Sequence, residues 1–182
     1  MAQGGVSFRG EVSQALAEYI RTSRAAGAGT ALVEGPLAKR IRFDRFQING
    51  KEHQDVVSLS PFEPISLSTE LFIAGLITGL RLRFEIWRQD QMLLGIYDQK
   101  QAHDIGTVSM ISSVTLPEKM LSPGEYRVNI VVFSDKYGEW LKIRDAGIFV
   151  VATDWSESYE TGEGMGLFNL PLLGTRSVRE AP

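Results

Sequence analysis

Two histidines, His53 and His103, each stand near a carboxylate, Asp55 and Asp104. These are the residue types of a general base or a paired metal site. Neither histidine belongs to a Gly-x-Ser-x-Gly turn or shows metal-ligand spacing, and both sit among polar turn formers, so both read as loop residues. The run TGEGMG spaces Gly162, Gly164 and Gly166 like a phosphate cradle. A cradle needs a strand before it, a helix after it and a lysine; all three are missing, and Glu160 and Glu163 repel phosphate. It reads as a hinge. Glu157, Glu160 and Glu163 contain an acid–base pair only on paper, because their three-residue spacing in a Gly-rich acidic stretch describes a solvated face. The expectation is no catalytic residue, no cofactor and no metal.

A second group of residues offers binding chemistry instead. Arg81, Arg83, Glu85 and Trp87 alternate with Leu80, Leu82, Phe84 and Ile86, which puts the polar set on one face of a strand and the apolar set on the other. Arg127, Asn129 and Phe133 alternate in the same way with Tyr126, Val128, Ile130 and Val132. If the two strands are neighbours, both polar sets share the outward face. An indole plane there suits the C–H face of a pyranose, and Arg, Asn and Glu suit its hydroxyl pairs. Covering ~100 Å² of apolar surface would supply about 2.5 kcal/mol. Trp87, Arg83, Glu85, Arg127 and Asn129 are therefore the candidate glycan-binding residues, with the loops around Tyr97 and Tyr137 next in line. An equally weighted alternative has Trp87 and Phe133 covered by another element, such as an apolar tail or a second subunit.

The elements that must position these residues are strands. Pro123-Gly124 turns into a strand whose first inward residue is Tyr126, the placement of a tyrosine corner in a Greek-key sandwich. Lys39–Ile48 alternates with a register change near Arg45 that suggests a bulge, and Asn49-Gly50 signals a hairpin turn. Ile65–Ile73, Leu80–Trp87, Met92–Tyr97, Val108–Leu116 and Trp140–Val151 complete about seven strands, with Gln89-Asp90 as a hairpin tip and a bulge at Ala146-Gly147. The expected fold is all-β, an immunoglobulin-like antiparallel β-sandwich with a short N-terminal helix. Its core should include Leu67, Leu71, Leu82, Phe84, Ile86, Tyr126, Val128, Ile130 and Val150. Residues 1–24 carry the helix, whose Val12, Ala15, Leu16, Tyr19 and Ile20 form an amphipathic stripe over Glu11–Arg24. Residues 25–37 read as a Gly/Ala-rich linker, 38–153 as the sandwich, and 154–182 as an extension. Within the extension, the apolar segment Met165–Leu173 is suited to docking on a partner or being swapped into it.

Composition narrows the classes. The 182 residues carry a formal charge of −3, which disfavours a general nucleic-acid binder. Without cysteine there are no disulfides or thiolate metal sites, and a reducing, cytoplasmic setting is favoured. No apolar run reaches the ~18 residues of a membrane span, and the N-terminus lacks the pattern of a signal peptide.

Three stretches together carry a resemblance. They are GGVSFRGEVSQALAEYI, the strand from Ala38 to Ile48 after the linker, and LSPGEYRVNIVVF followed by IRDAGIFVV, in which Leu121, Pro123, Gly124 and Tyr126 give L-x-P-G-x-Y. The chain resembles the C-terminal domain of the ATP-binding subunits of bacterial polysaccharide ABC transporters, the kind that export O-antigen. The resemblance implies a carbohydrate-binding sandwich that recognises an exported polysaccharide, preceded by the tail of an ATPase domain. It implies a homodimer, held at the inner membrane through the transporter's membrane subunit, with no nucleic acid involved. The Walker motifs of such a subunit are absent from this stretch, so it is not expected to hydrolyse ATP. The rival readings are a dimerisation or scaffold sandwich that binds no glycan, and a sugar-modifying enzyme.

Overall fold

A computed structural model of the protein describes residues 31–52, 56–98, 103–135 and 138–152, together with the backbone of 174–180. Among the described residues, twelve strands form two sheets packed face to face. The larger sheet runs in the order β1 (Leu32–Glu34), β11 (Trp140–Val151), β10 (Gly124–Ser134), β6 (Ile77–Arg88), β7 (Gln91–Tyr97). Two short strands join it, β4 (Val57–Leu59) on β11 and β8 (His103–Ile105) on β6. The smaller sheet runs β12 (Gly174–Glu180), β9 (Val108–Leu116), β5 (Ile65–Ile73), β2 (Ile41–Ile48), β3 (Lys51–Glu52). The all-β sandwich expected from period-two alternation is the observed one. Strand β5 is its plainest case, with every second residue from Ile65 to Ile73 buried.

The core lies between the sheets. Leu67, Leu71, Leu82, Phe84, Ile86, Val128 and Ile130 are fully buried and Tyr126 nearly so. The Phe46 and Phe84 rings meet across the gap at 6.5 Å. The Phe46 ring also lies so close to Gly147 that a Cβ there would come 2.4 Å from its Cε1. The hydroxyl of Tyr126 donates to the Ser122 carbonyl at 2.5 Å while its ring stacks on Phe149 at 5.3 Å. That is the tyrosine corner, and it ties the start of β10 to the turn before it. Both hairpin turns follow the mirror-image geometry that matches strand twist, with positive φ at Asn49 and Gly50 and at Gln89 and Asp90.

Several expectations need correction. Residues 25–37 are not all linker: β1 pairs with β11, and Leu37 is buried in the core. Backbone pairing holds Leu32–Glu34 on the edge of the sheet, and burial of Leu37 anchors the turn that follows. The sandwich is not wholly antiparallel, since β4 runs parallel to β11. His103 lies in a strand, opposite Leu80, rather than in a loop. The bulge near Arg45 is present, between Phe43 and Arg45. The one expected at Ala146-Gly147 begins earlier: Val128 faces Gly147 and Ile130 faces Ile143, so Arg144, Asp145 and Ala146 share the space opposite Asn129. Val150 is buried, but it pairs with Glu125 and so lies on the outer face of the sheet, outside the main core. The expected helix over Glu11–Arg24, His53, Asp55, the glutamates 157, 160 and 163, the glycines 162, 164 and 166, and the segment Met165–Leu173 all lie outside the described residues. Strand β12, beyond that segment, pairs with β9 along its whole length. Among the described residues no helix is long and apolar enough to cross a membrane.

Candidate functional site

Strands β6 and β10 are neighbours, and their pairing register sets the outer face of the larger sheet. Arg127 faces Trp87, Asn129 faces Glu85, Val131 faces Arg83 and Phe133 faces Arg81. On one flank β7 brings Tyr97 opposite Arg83 and Gly95 opposite Glu85. On the other, β11 brings Lys142 opposite Val131 and Trp140 opposite Phe133. The five residues singled out from alternation therefore share one face. Opposed residues on one face lie about 4.5–5.5 Å apart at Cβ, close enough for direct contact.

Glu85 is the hub of that face. It was expected to reach outward as a clamp for hydroxyls, but it is only 2% exposed. Trp87 donates its indole N–H to Oε2 at 3.1 Å, Lys142 donates to the same oxygen at 3.2 Å, and Arg83 donates to Oε1. Burial alone would push the carboxyl pKa up. The hydrogen bonds from Lys142, Arg83 and Trp87 outweigh that and hold it below the usual carboxylate range. With both oxygens taken, Glu85 orients its neighbours rather than a ligand. Gly95 makes room for this arrangement, since a Cβ there would stand 3.2 Å from Arg83 Cδ.

Around the hub, cations lie on aromatic rings. The Lys142 ammonium is 5.3 Å from the centre of the Trp87 indole. The Arg81 guanidinium lies over Tyr97 at 4.9 Å and over Phe133 at 5.6 Å, and the two rings meet edge to face at 6.0 Å. Such contacts hold half-buried rings in fixed orientations. Trp87 and Phe133 are thus only partly open, covered by cations of their own sheet.

The open part of the face is a groove of about 140 Å³ lined by Trp87, Asp90, Arg127, Asn129, Arg144 and Asp145. Three of the five expected residues, Trp87, Arg127 and Asn129, converge on it. Arg83 and Glu85 lie beside it, engaged with each other. Arg127 donates to the Asp90 carboxylate at 3.0 Å, and Arg144 donates to Glu34 at 3.2 Å. Asn129 accepts the Asp145 backbone N–H at 2.8 Å, which fixes the bulge of β11 against β10. The sequence reading did not single out Lys142, Arg144 or Asp145; for the last two, alternation cannot be carried through a bulge whose length is unknown. A period-two reading of Trp140, Lys142 and Arg144, taken before the bulge, would have found the first two.

The histidine route to catalysis has no geometric support among the described residues. Asp104 accepts the Gly79 backbone N–H at 2.9 Å, and no cluster of three His, Asp or Glu stands ready for a metal there. Tyr137 lies outside the described residues, while Tyr97 belongs to the face already described.

No family model matches the chain, and no curated protein matches it either. Among solved structures, it is similar to the crystal structure of the C-terminal domain of Wzt, with a TM-score of 0.52 at 12% identity over 68% of this chain and 79% of that one. A Niemann-Pick type C2 protein from Japanese carpenter ant overlaps less well, with a TM-score of 0.46 at 11% identity over 66% and 98%. At the first of these levels the likeness is one of fold: the chain shares a β-sandwich with the Wzt domain.

Proposed function

We propose that this domain recognises an exported, O-antigen-like cell-surface polysaccharide without catalysing any change in it, as the C-terminal domain of an ABC transporter ATP-binding subunit. The observation that carries the reading is the convergence of Trp87, Arg127 and Asn129 on one groove. An indole edged by guanidinium and amide groups is the composition a sugar ring needs. The L-x-P-G-x-Y resemblance and the fold shared with the C-terminal domain of Wzt support the same reading. In this arrangement Trp87 supplies the apolar surface, Arg127 and Asn129 meet hydroxyls, and Glu85 with Arg83 holds the indole in place. The domain works as a homodimer, and its position at the cytoplasmic side of the inner membrane comes from the transporter's membrane subunit.

Affinity for a short oligosaccharide should be about 0.1–1 mM, or roughly −5.5 to −4 kcal/mol. Two sites on one long glycan gain further through effective concentration. The test is a chemical-shift titration of the whole chain with cell-surface polysaccharides, repeated with Trp87→Ala. The substitution should weaken binding at least ~10-fold. It should also cost about 1–2 kcal/mol of stability, because the hydrogen bond to Glu85 goes with the indole. A folded Trp87→Ala protein with unchanged affinity would move the site elsewhere.

A second reading, a dimerisation or scaffold sandwich, draws on the exposure of Met92, Leu93 and Trp140, large apolar side chains on the same sheet. It predicts no glycan response in that titration and a concentration-dependent association of the chain.

A further inference from the structure

Resting on the glycan reading above, we infer that the groove selects a neutral sugar by a vicinal pair of hydroxyls and discriminates against acidic sugars. The first observation is Asn129. It is only 9% exposed, and its Oδ1 is committed to the Asp145 N–H. A backbone donor at that point settles which end of the amide is oxygen. The Nδ2 group is therefore the end left over, a pair of N–H donors without a partner among the described residues, on a side chain that lines the groove.

The second observation is Asp145. It takes a positive φ of 50° at the β11 bulge, and it lines the same groove. Its carboxylate has no hydrogen bond or ion pair among the described residues. The other charges of the groove are already matched, Arg127 with Asp90 and Arg144 with Glu34. What remains without a protein partner among the described residues is the amide donor pair and the water-exposed, two-oxygen acceptor of Asp145, beside the guanidinium N–H groups of Arg127 that Asp90 does not take. Adjacent hydroxyls complement that set, since each can accept from the amide and donate to the carboxylate.

The sign of the leftover charge gives the selectivity. Arg127 and Arg144 stand against Asp90, Glu34 and Asp145, a surplus of one negative charge that falls on Asp145, so a carboxylate or phosphate beside it meets repulsion where a hydroxyl meets an acceptor. Because Asp145 is exposed, water sets the dielectric, and at a separation of roughly 6 Å that repulsion corresponds to about three- to fivefold in affinity at low salt.

The experiment uses the whole chain and pairs of sugars that differ only at C6: methyl glycosides of glucose, galactose and mannose, and the matching methyl uronides. Each is titrated to about 50 mM, well above the ~1 mM expected for binding, while the Trp87 indole and Asn129 side-chain signals are followed. The expected result is that the neutral members move both signals and bind about three- to fivefold more tightly than their uronides. In Asp145→Asn the difference should close to within about twofold. Asparagine tolerates positive φ and keeps a side-chain oxygen acceptor, so the bulge is retained. Uronides that bind the wild type as well as the neutral sugars overturn the inference, as does a difference that survives in Asp145→Asn. Sugars that shift only Tyr97, Phe133 and Trp140 overturn it too, but leave the glycan reading standing. If no sugar or polysaccharide shifts any signal, both fall.

Discussion

Replacing Glu85 with glutamine should destabilise the domain by about 2–3 kcal/mol at neutral pH, and the loss should fade in acid. The Glu85 carboxylate is 3% exposed, with Arg83 on one oxygen and Trp87 and Lys142 on the other. Glutamine keeps the shape but offers only one acceptor oxygen. If that oxygen turns toward Trp87 and Lys142, the amide N–H₂ faces the Arg83 guanidinium, donor against donor. Breaking a fully buried ion pair costs about 3–5 kcal/mol. Here the Arg83 and Lys142 side chains are 30% and 21% exposed, so water partly solvates the charges left behind and the estimate falls to about 2–3 kcal/mol. For a chain of this size that is a fall in Tm of about 6–9 °C.

The pH dependence follows from the depressed pKa of Glu85. A carboxyl with a lower pKa folded than unfolded adds stability that is fully present above the unfolded value, about 4.3. That stability is lost as the pH falls through the folded value. Urea unfolding of both proteins at several pH values gives the difference directly, and other carboxyls that titrate in both cancel. The gap should be constant from about pH 7 to pH 5 and shrink steadily below about pH 4. A gap that is unchanged at pH 3.5, or that widens in acid, refutes the assignment of Glu85 as an ionised hub. A Glu85→Gln protein as stable as the wild type refutes the whole network.

Three further outcomes are expected. Tyr126→Phe removes the hydroxyl that Ser122 accepts from and should cost about 1–2 kcal/mol in urea unfolding, with no change in glycan titration. Gly147→Ala places a methyl group against the Phe46 ring and should lower stability by about 1–3 kcal/mol, since the ring is packed on every side; an unchanged Tm would mean that the two sheets are not locked there. Sedimentation of the full chain should show a dimer, and a variant ending at Asp154, which removes β12 from the edge of β9, should be a folded monomer by circular dichroism and sedimentation; a monomer in both would end the assembly proposal.

The strands were legible wherever one face is buried and the other solvated, as in β5 and β6, because burial then imposes a period of two. Adjacency of β6 and β10 was only a condition in the sequence, yet once met it placed Arg83, Glu85, Trp87, Arg127 and Asn129 together without further information. Which of them turn toward solvent was not legible. Glu85 has the parity of an exposed residue, and only the donors arriving from β6 itself and from β11 pull it under. Arg144 and Asp145 were hidden by the bulge, where three residues stand opposite Asn129, whereas Lys142 lies before it in regular pairing with Val131. The strand β1 was obscured by its Gly/Ala-rich surroundings, and the parallel pairing of β4 by a length of only three residues.

The alternation along β6 and β10 has a consequence for how this surface can change. Arg81, Arg83, Arg127 and Val131 are each flanked in the chain by core residues, but their own side chains do not enter the space between the sheets. Substitutions at Arg81, Trp87, Arg127 or Phe133 can therefore alter what the face touches while leaving the volume of the core as it was. Glu85, Gly95 and Asn129 hold the face together most directly, while Arg81 on Tyr97 and Phe133 and Trp87 on Glu85 add contacts within the face itself. A library that varies the first group and keeps the second fixed would explore new binding preferences on an unchanged core. Descent with altered specificity would have the same route open to it, one outer-face position at a time.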